Sequence, residues 1–150
     1  MNSAAPQLRV AVRVFELRLT STRRGARLAH QLAVEELRAW GLPPAVVARA
    51  RQIVAELAAN AALHGSADPS RGFRLTLTAD AALGTLRIGV ADSRPDCPPT
   101  TSTSAEATGE SGRGLLIVTA LCDRWGIDPH PPTGKTVWTE LDLPHEGRVP

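Results

Sequence analysis

The segment Glu56-Leu57-Ala58-Ala59-Asn60-Ala61-Ala62-Leu63-His64-Gly65 sets a carboxylate and an amide four residues apart inside a run of alanine and leucine. Residues i and i+4 share one face of an α-helix, so Glu56 and Asn60 point the same way from a helix otherwise suited to burial. Packing alone gives no reason for an acid there. An Asn oxygen suits a hard cation such as magnesium, and a nearby Glu can accept a proton or position a water. The competing reading is an exposed polar stripe on an amphipathic helix. The rest of the chain decides between the two.

Working outward, Pro43-Pro44 opens this helix, since proline is tolerated in a first turn, and Gly65 closes it. Before it, Ala26, Leu28, Ala29, Leu32, Ala33, Leu37 and Trp40 recur at helical spacing. Ser21 or Thr22 is placed to cap that helix and Gly41 to end it. Over Arg9 to Leu19 the apolar residues alternate but change face at Phe15, which suggests a bulged strand or two short pieces. Downstream, Phe73-Leu75-Leu77 and Leu86-Ile88-Val90 alternate as two strands joined by a hairpin over Ala79 to Gly84. A polar stretch from Asp92 to Ser111 follows, long enough to be a lid or binding loop. A short helix from Leu115, a strand at Trp125 to Ile127, a turn over Pro129 to Thr133 and a last alternating strand from Val137 to Leu143 complete the chain. The order β, α, α, β, β, loop, α, β, β predicts an α/β (α+β) two-layer sandwich, a mixed and mostly antiparallel sheet with helices on one face.

Composition narrows the function. The 150 residues fit one domain, with 1–7 and 145–150 expected to be flexible ends. A net charge of +2 with dispersed arginines gives no footprint for direct nucleic-acid binding. Aromatics are 3% with no Tyr, so a base-stacking surface is disfavoured. No apolar run reaches the length of about 18 residues that a membrane span needs, and the N-terminus lacks a signal-peptide pattern. Cys97 and Cys122 form no metal-binding spacing. A reduced, cytoplasmic protein is the expectation.

Two further features accompany the Glu56/Asn60 pair. Asp92 stands where an apolar strand runs out into the long loop. Gly109-Glu110-Ser111-Gly112-Arg113-Gly114 leads directly into a helix, and free N–H groups at such a start suit phosphate. There is no Gly-Lys-Ser/Thr ending, so this is not a Walker loop.

The order of these pieces resembles the ATP-binding domain of the gyrase, heat-shock chaperone, histidine kinase and mismatch-repair superfamily (the Bergerat fold). Within it, the chain is most similar to the single-domain bacterial anti-sigma factor serine/threonine kinases of actinobacteria. Val54 to Gly65 resembles that family's N box, and Val90-Ala91-Asp92-Ser93 with Pro95 its first glycine box. Gly112 to Gly126 resembles the second glycine box and the strand after it, and Gly134-Lys135-Thr136-Val137-Trp138 the closing strand. The resemblance implies ATP and Mg2+ as cofactors. Asn60 would ligate magnesium and Glu56 would be the catalytic base or water-positioning residue. Asp92 would accept from the adenine amine. Gly112, Arg113, Gly114 and Leu115 would hold the phosphates, and Thr136 would line the adenine pocket. His64 is more simply a helix C-terminal residue. At the first box the wider superfamily expects Asp-x-Gly-x-Gly, whereas here Asp92-Ser93-Arg94-Pro95-Asp96 has no glycine.

The leading expectation is an anti-sigma factor that sequesters a sigma factor and phosphorylates an anti-sigma factor antagonist (STAS-type), with a homodimer as a candidate assembly. The Asp92 to Ser111 loop would be the nucleotide lid, and the arginine-rich first helix a partner-binding face. The alternative is a non-catalytic switch of the same fold, which the missing glycines favour. A histidine-kinase catalytic domain would need a dimerising hairpin with a phosphoacceptor His, and the sequence pattern ahead of the predicted N-box helix is not expected to form one.

Overall fold

The computed structural model describes residues 12–64, 72–92, 110–130 and 134–144. The segments expected to be flexible ends, the loop from Ser66 to Arg71 and the lid-like stretch over 93–109 lie outside the described residues. Element order follows the sequence pattern: β1 (Val12–Leu19), α1 (Arg23–Ala39), α2 (Pro44–His64), β2 (Phe73–Asp80), β3 (Thr85–Asp92), α3 (Glu110–Leu121), β4 (Arg124–Pro129) and β5 (Lys135–Asp142).

The five strands form one sheet in the order β1-β2-β3-β5-β4. Every adjacent pair is antiparallel, so the mixed sheet expected from sequence is antiparallel at each of its contacts. β3 and β4 run parallel with β5 inserted between them, a split β-α-β unit whose crossover carries α3. Alternation then sorts the faces. Phe73, Leu75, Leu77, Leu86, Ile88 and Leu141 are buried on one face, against the helices. Ala29, Ala33 and Leu37 of α1 and Ala50, Ile53, Val54 and Ala58 of α2 are fully buried from the other side. Each fully buried Leu or Ile is worth about 1.5–3 kcal/mol of transfer free energy.

Local chemistry explains the helix ends. Thr22 caps α1, its hydroxyl accepting from the Gly25 amide at 2.9 Å. At the far end Gly41 adopts φ +75°. Its amide donates to the Arg38 carbonyl at 2.9 Å and the Leu42 amide to the Leu37 carbonyl at 3.4 Å. This is a Schellman closure, and the positive φ is why glycine stands there.

Two expectations are revised. β1 pairs with β2 without interruption, from Val12 opposite Asp80 to Leu19 opposite Phe73, so there is no bulge within 12–19. Val12 and Val14 are instead exposed at 43% and 61% on the outer face, while Phe15, Leu17 and Leu19 face the core. Apolar residues on both faces of one regular strand produced the apparent slip. Second, α3 begins at Glu110 rather than Leu115, so Gly112, Arg113 and Gly114 are helical and not a loop before the helix. Among the described residues no helix is long and apolar enough to cross a membrane.

Candidate active site

The stripe Arg49, Ile53, Glu56, Asn60 runs along α2 at helical spacing, and α3 lies on it. At one end the Arg49 guanidinium donates twice to the Leu121 carbonyl, from Nε at 2.9 Å and Nη2 at 2.5 Å. It also pairs with Asp123 at 3.5 Å, whose carboxylate accepts from the Asp142 amide at 2.7 Å. This cation satisfies the orphan Leu121 carbonyl at the α3 C-terminus and, through Asp123, ties α3 and α2 to β5.

Seven residues further along α2, and seven back along α3, Gly114 meets Glu56 and Asn60. A Cβ at Gly114 would stand 2.9 Å from Glu56 Oε1 and 3.6 Å from Asn60 Oδ1. The two helices therefore run antiparallel and touch closely at this glycine. Any side chain at 114 would occupy the space that the carboxylate uses. The glycine costs helix propensity, about 1 kcal/mol relative to alanine, and what it gains is this close approach. Glu56 is held on its other oxygen by Gln52, which donates Nε2–H to Oε2 at 2.8 Å. Glu56 and Asn60 are both half-buried.

The start of α3 supplies the complementary chemistry. First-turn N–H groups of a helix have no intrahelical partner and carry the positive end of its dipole. Gly112 and Arg113 contribute backbone here. Leu115 is half-buried on the same helix. The Glu56 carboxylate and the Asn60 amide oxygen thus meet α3 at Gly114, one turn along from its first amides, and this donor and acceptor set is chemically suited to a magnesium–nucleotide phosphate.

Asp92 ends β3 on the covered face, in a row across the sheet with Leu19, Phe73 and Lys135. Its Oδ2 is 3.4 Å from Lys135 Nζ, and only 9% of the Asp92 side chain and 14% of the Lys135 side chain are exposed. Thr136 is not brought to this site. One residue along a strand reverses the face, so Thr136 stands on the open side of the sheet, opposite Ala91, with its hydroxyl 2.6 Å from His130 Nε2. Sequence reasoning fixed on the threonine and passed over Lys135. Counting the Val137-Thr139-Leu141 alternation back two residues would have found it.

The open face carries a separate layer. Trp138 lies flat over Gly126, where a Cβ would come within 2.5 Å of its ring. Its indole N–H donates to Asp128 at 3.3 Å, and the Arg87 guanidinium stacks 4.2 Å above its centroid. Arg124 donates to Glu140 at 2.9 Å and to Asp142 at 2.5 Å. Those bonds hold the Glu140 and Asp142 carboxyls below their usual range, with Arg87 adding to the effect at Glu140. Burial pushes the Cys122 thiol up, so it is not an activated nucleophile.

Against known families, residues 19–140 match the histidine kinase-like ATPase domain. The chain belongs to this family. In Streptomyces coelicolor, the uncharacterised protein SCO4941 is 44% identical over 45 residues, covering 30% of this chain and 43% of that protein. The present chain thus matches less than half the length of that relative. Among solved structures, the chain bearing the RsbU and RsbW domains of Rv1364c from Mycobacterium tuberculosis superposes with a TM-score of 0.67 at 22% identity, over 87% of this chain and 32% of that one. A chain of the SiaB–SiaC complex from Pseudomonas aeruginosa superposes with a TM-score of 0.56 at 11% identity, over 95% of both. At these identities the two structures share the fold. For a histidine kinase-like ATPase domain, nucleotide is the ligand that the family implies.

Proposed function

We propose that this domain binds ATP with magnesium between α2, α3 and the end of β3, and works as an anti-sigma regulator with serine/threonine kinase activity toward an antagonist protein. The observation that carries this reading is Gly114 packed bare against Glu56 and Asn60, which joins two sequence motifs into one site. Bound Mg-ATP would supply the transferable phosphoryl group and neutralise its charge. Magnesium keeps few protein ligands and takes phosphate oxygens, so the Asn60 oxygen is a sufficient protein contribution. Glu56, fixed by Gln52, would accept the proton from an incoming hydroxyl. The α3 amides and the first-turn Arg113 would receive the phosphates, with Leu115 behind them. Asp92 would receive the base through its amine.

The anti-sigma assignment rests on the sequence resemblance and is supported by the fold neighbours, one a chain that carries an RsbW domain and one solved in complex with a second protein. Sigma factor, STAS-type antagonist, homodimer and cytoplasmic setting belong to this proposal. Incubation with labelled ATP and candidate antagonists tests it. Phosphate transfer that disappears in Glu56→Gln supports the kinase reading, and absence of transfer by the wild type to any antagonist that binds it contradicts it. The glycine-free segment Asp92-Ser93-Arg94-Pro95-Asp96 favours one second reading, a switch that binds ATP and partner without transfer. Binding without transfer would be its signature.

A further inference from the structure

The geometry points to Lys135 as a second nucleobase-contacting residue, one that acts with Asp92 to read an adenine edge presenting an amine beside an unprotonated ring nitrogen. This rests on the nucleotide reading above and deepens it.

Lys135 Nζ and Asp92 Oδ2 are 3.4 Å apart on the same covered face, and both side chains are largely removed from solvent. Register holds them together, since Asp92 of β3 lies directly opposite Lys135 of β5. A carboxylate that is nine-tenths covered gains from a cation held beside it. An incoming adenine amine is neutral and cannot replace the ammonium. The pairing of β3 with β5 keeps Lys135 beside Asp92 when the base arrives. The pair then presents one acceptor next to one charged donor. Asp92 receives the exocyclic N–H, and Lys135 donates to the adjacent ring nitrogen, N1 or N7 according to which edge enters. Lysine has three donors and no acceptor, so both contacts to Asp92 and to the base are within its capacity.

Calorimetric titration with ADP, 1-deaza-ADP and 7-deaza-ADP tests this, alongside the thermal shift each ligand produces. Wild type is expected to bind ADP and to lose about tenfold or more with one of the two deaza analogues, the size of a hydrogen bond to a charged group. Lys135→Met is expected to bind ADP about tenfold or more weakly and to be indifferent to the same ring substitution. Lys135→Arg should retain part of the discrimination. Because Lys135→Met removes the ammonium beside Asp92, the neutral pair Asp92→Asn with Lys135→Met is measured too, and it should fold and show the same indifference. Wild type binding ADP and both deaza analogues equally overturns the role of Lys135, as does Lys135→Met binding ADP with unchanged or improved affinity. Wild type that binds no ADP removes the nucleotide reading itself, a result distinct from either.

Discussion

Replacing Gly114 by alanine separates folding from chemistry at the point where the two helices touch. The added methyl would stand 2.9 Å from Glu56 Oε1. Relief requires the carboxylate to retreat by about half an ångström to reach ordinary contact. Oε1 ends a flexible side chain, so this costs toward the low end of the ~1–3 kcal/mol typical of overpacking. Alanine in a helix returns about 1 kcal/mol relative to glycine. The net change in stability is therefore expected to be within about 1 kcal/mol of zero. The retreat nonetheless moves the proposed base, and since a misplacement of about 1 Å can cost roughly 10²-fold in rate, half of that is expected to cost about tenfold. Asn60 Oδ1, at 3.6 Å from the new methyl, stays in ordinary contact. Mg-ATP affinity should then change by less than about tenfold, or 1.4 kcal/mol. Urea denaturation, calorimetric binding and single-turnover transfer measure the three quantities. Unchanged transfer in a stably folded Gly114→Ala protein would refute the reasoning, because it would mean that the Gly114–Glu56 approach does not set the position of the base.

Three further outcomes follow from the same structure. Gly126→Ala should destabilise by about 1–3 kcal/mol and alter tryptophan fluorescence, because its methyl would meet the Trp138 ring at 2.5 Å. Thr139 is fully buried on β5 and its hydroxyl has no partner among the described residues, so Thr139→Val should raise stability by about 1 kcal/mol in chemical denaturation. Glu140 and Asp142 are held below their usual range by Arg124. A depressed folded-state value gives stability that is present above the unfolded value and lost as pH falls through the folded one. Wild type should thus lose stability more steeply than Arg124→Met on acidification below about pH 4, read by denaturation midpoints at successive pH.

The fold was largely legible because its signals are local. Thr22, Gly41 and the Pro43-Pro44 pair mark helix ends through chemistry that needs no tertiary context. Strict alternation in β2 and β3 gives both strands and the buried face. Misreadings arose where one pattern has two physical causes. Val12 and Val14 look like core residues out of phase, yet they sit on the outer face of a regular strand. Gly112 and Gly114 look like a loop because glycine is a poor helix former, yet both lie in α3, and Gly114 is glycine because a partner helix needs the space. Glu56, Asn60 and Asp92 were visible as polar residues in apolar settings. Lys135 and Arg49 were not, since a charged residue at a strand start or on a helix reads as solvated until register and packing show what it faces.

Calorimetric titration of Mg-ATP into wild type, Asn60→Ala and Asp92→Asn tests most directly whether α2, α3 and β3 form a nucleotide site. Saturable one-to-one binding by wild type, weakened at least about tenfold by each substitution, is the predicted result. Binding that neither substitution alters would place the nucleotide elsewhere, and no binding by the wild type would contradict the account outright.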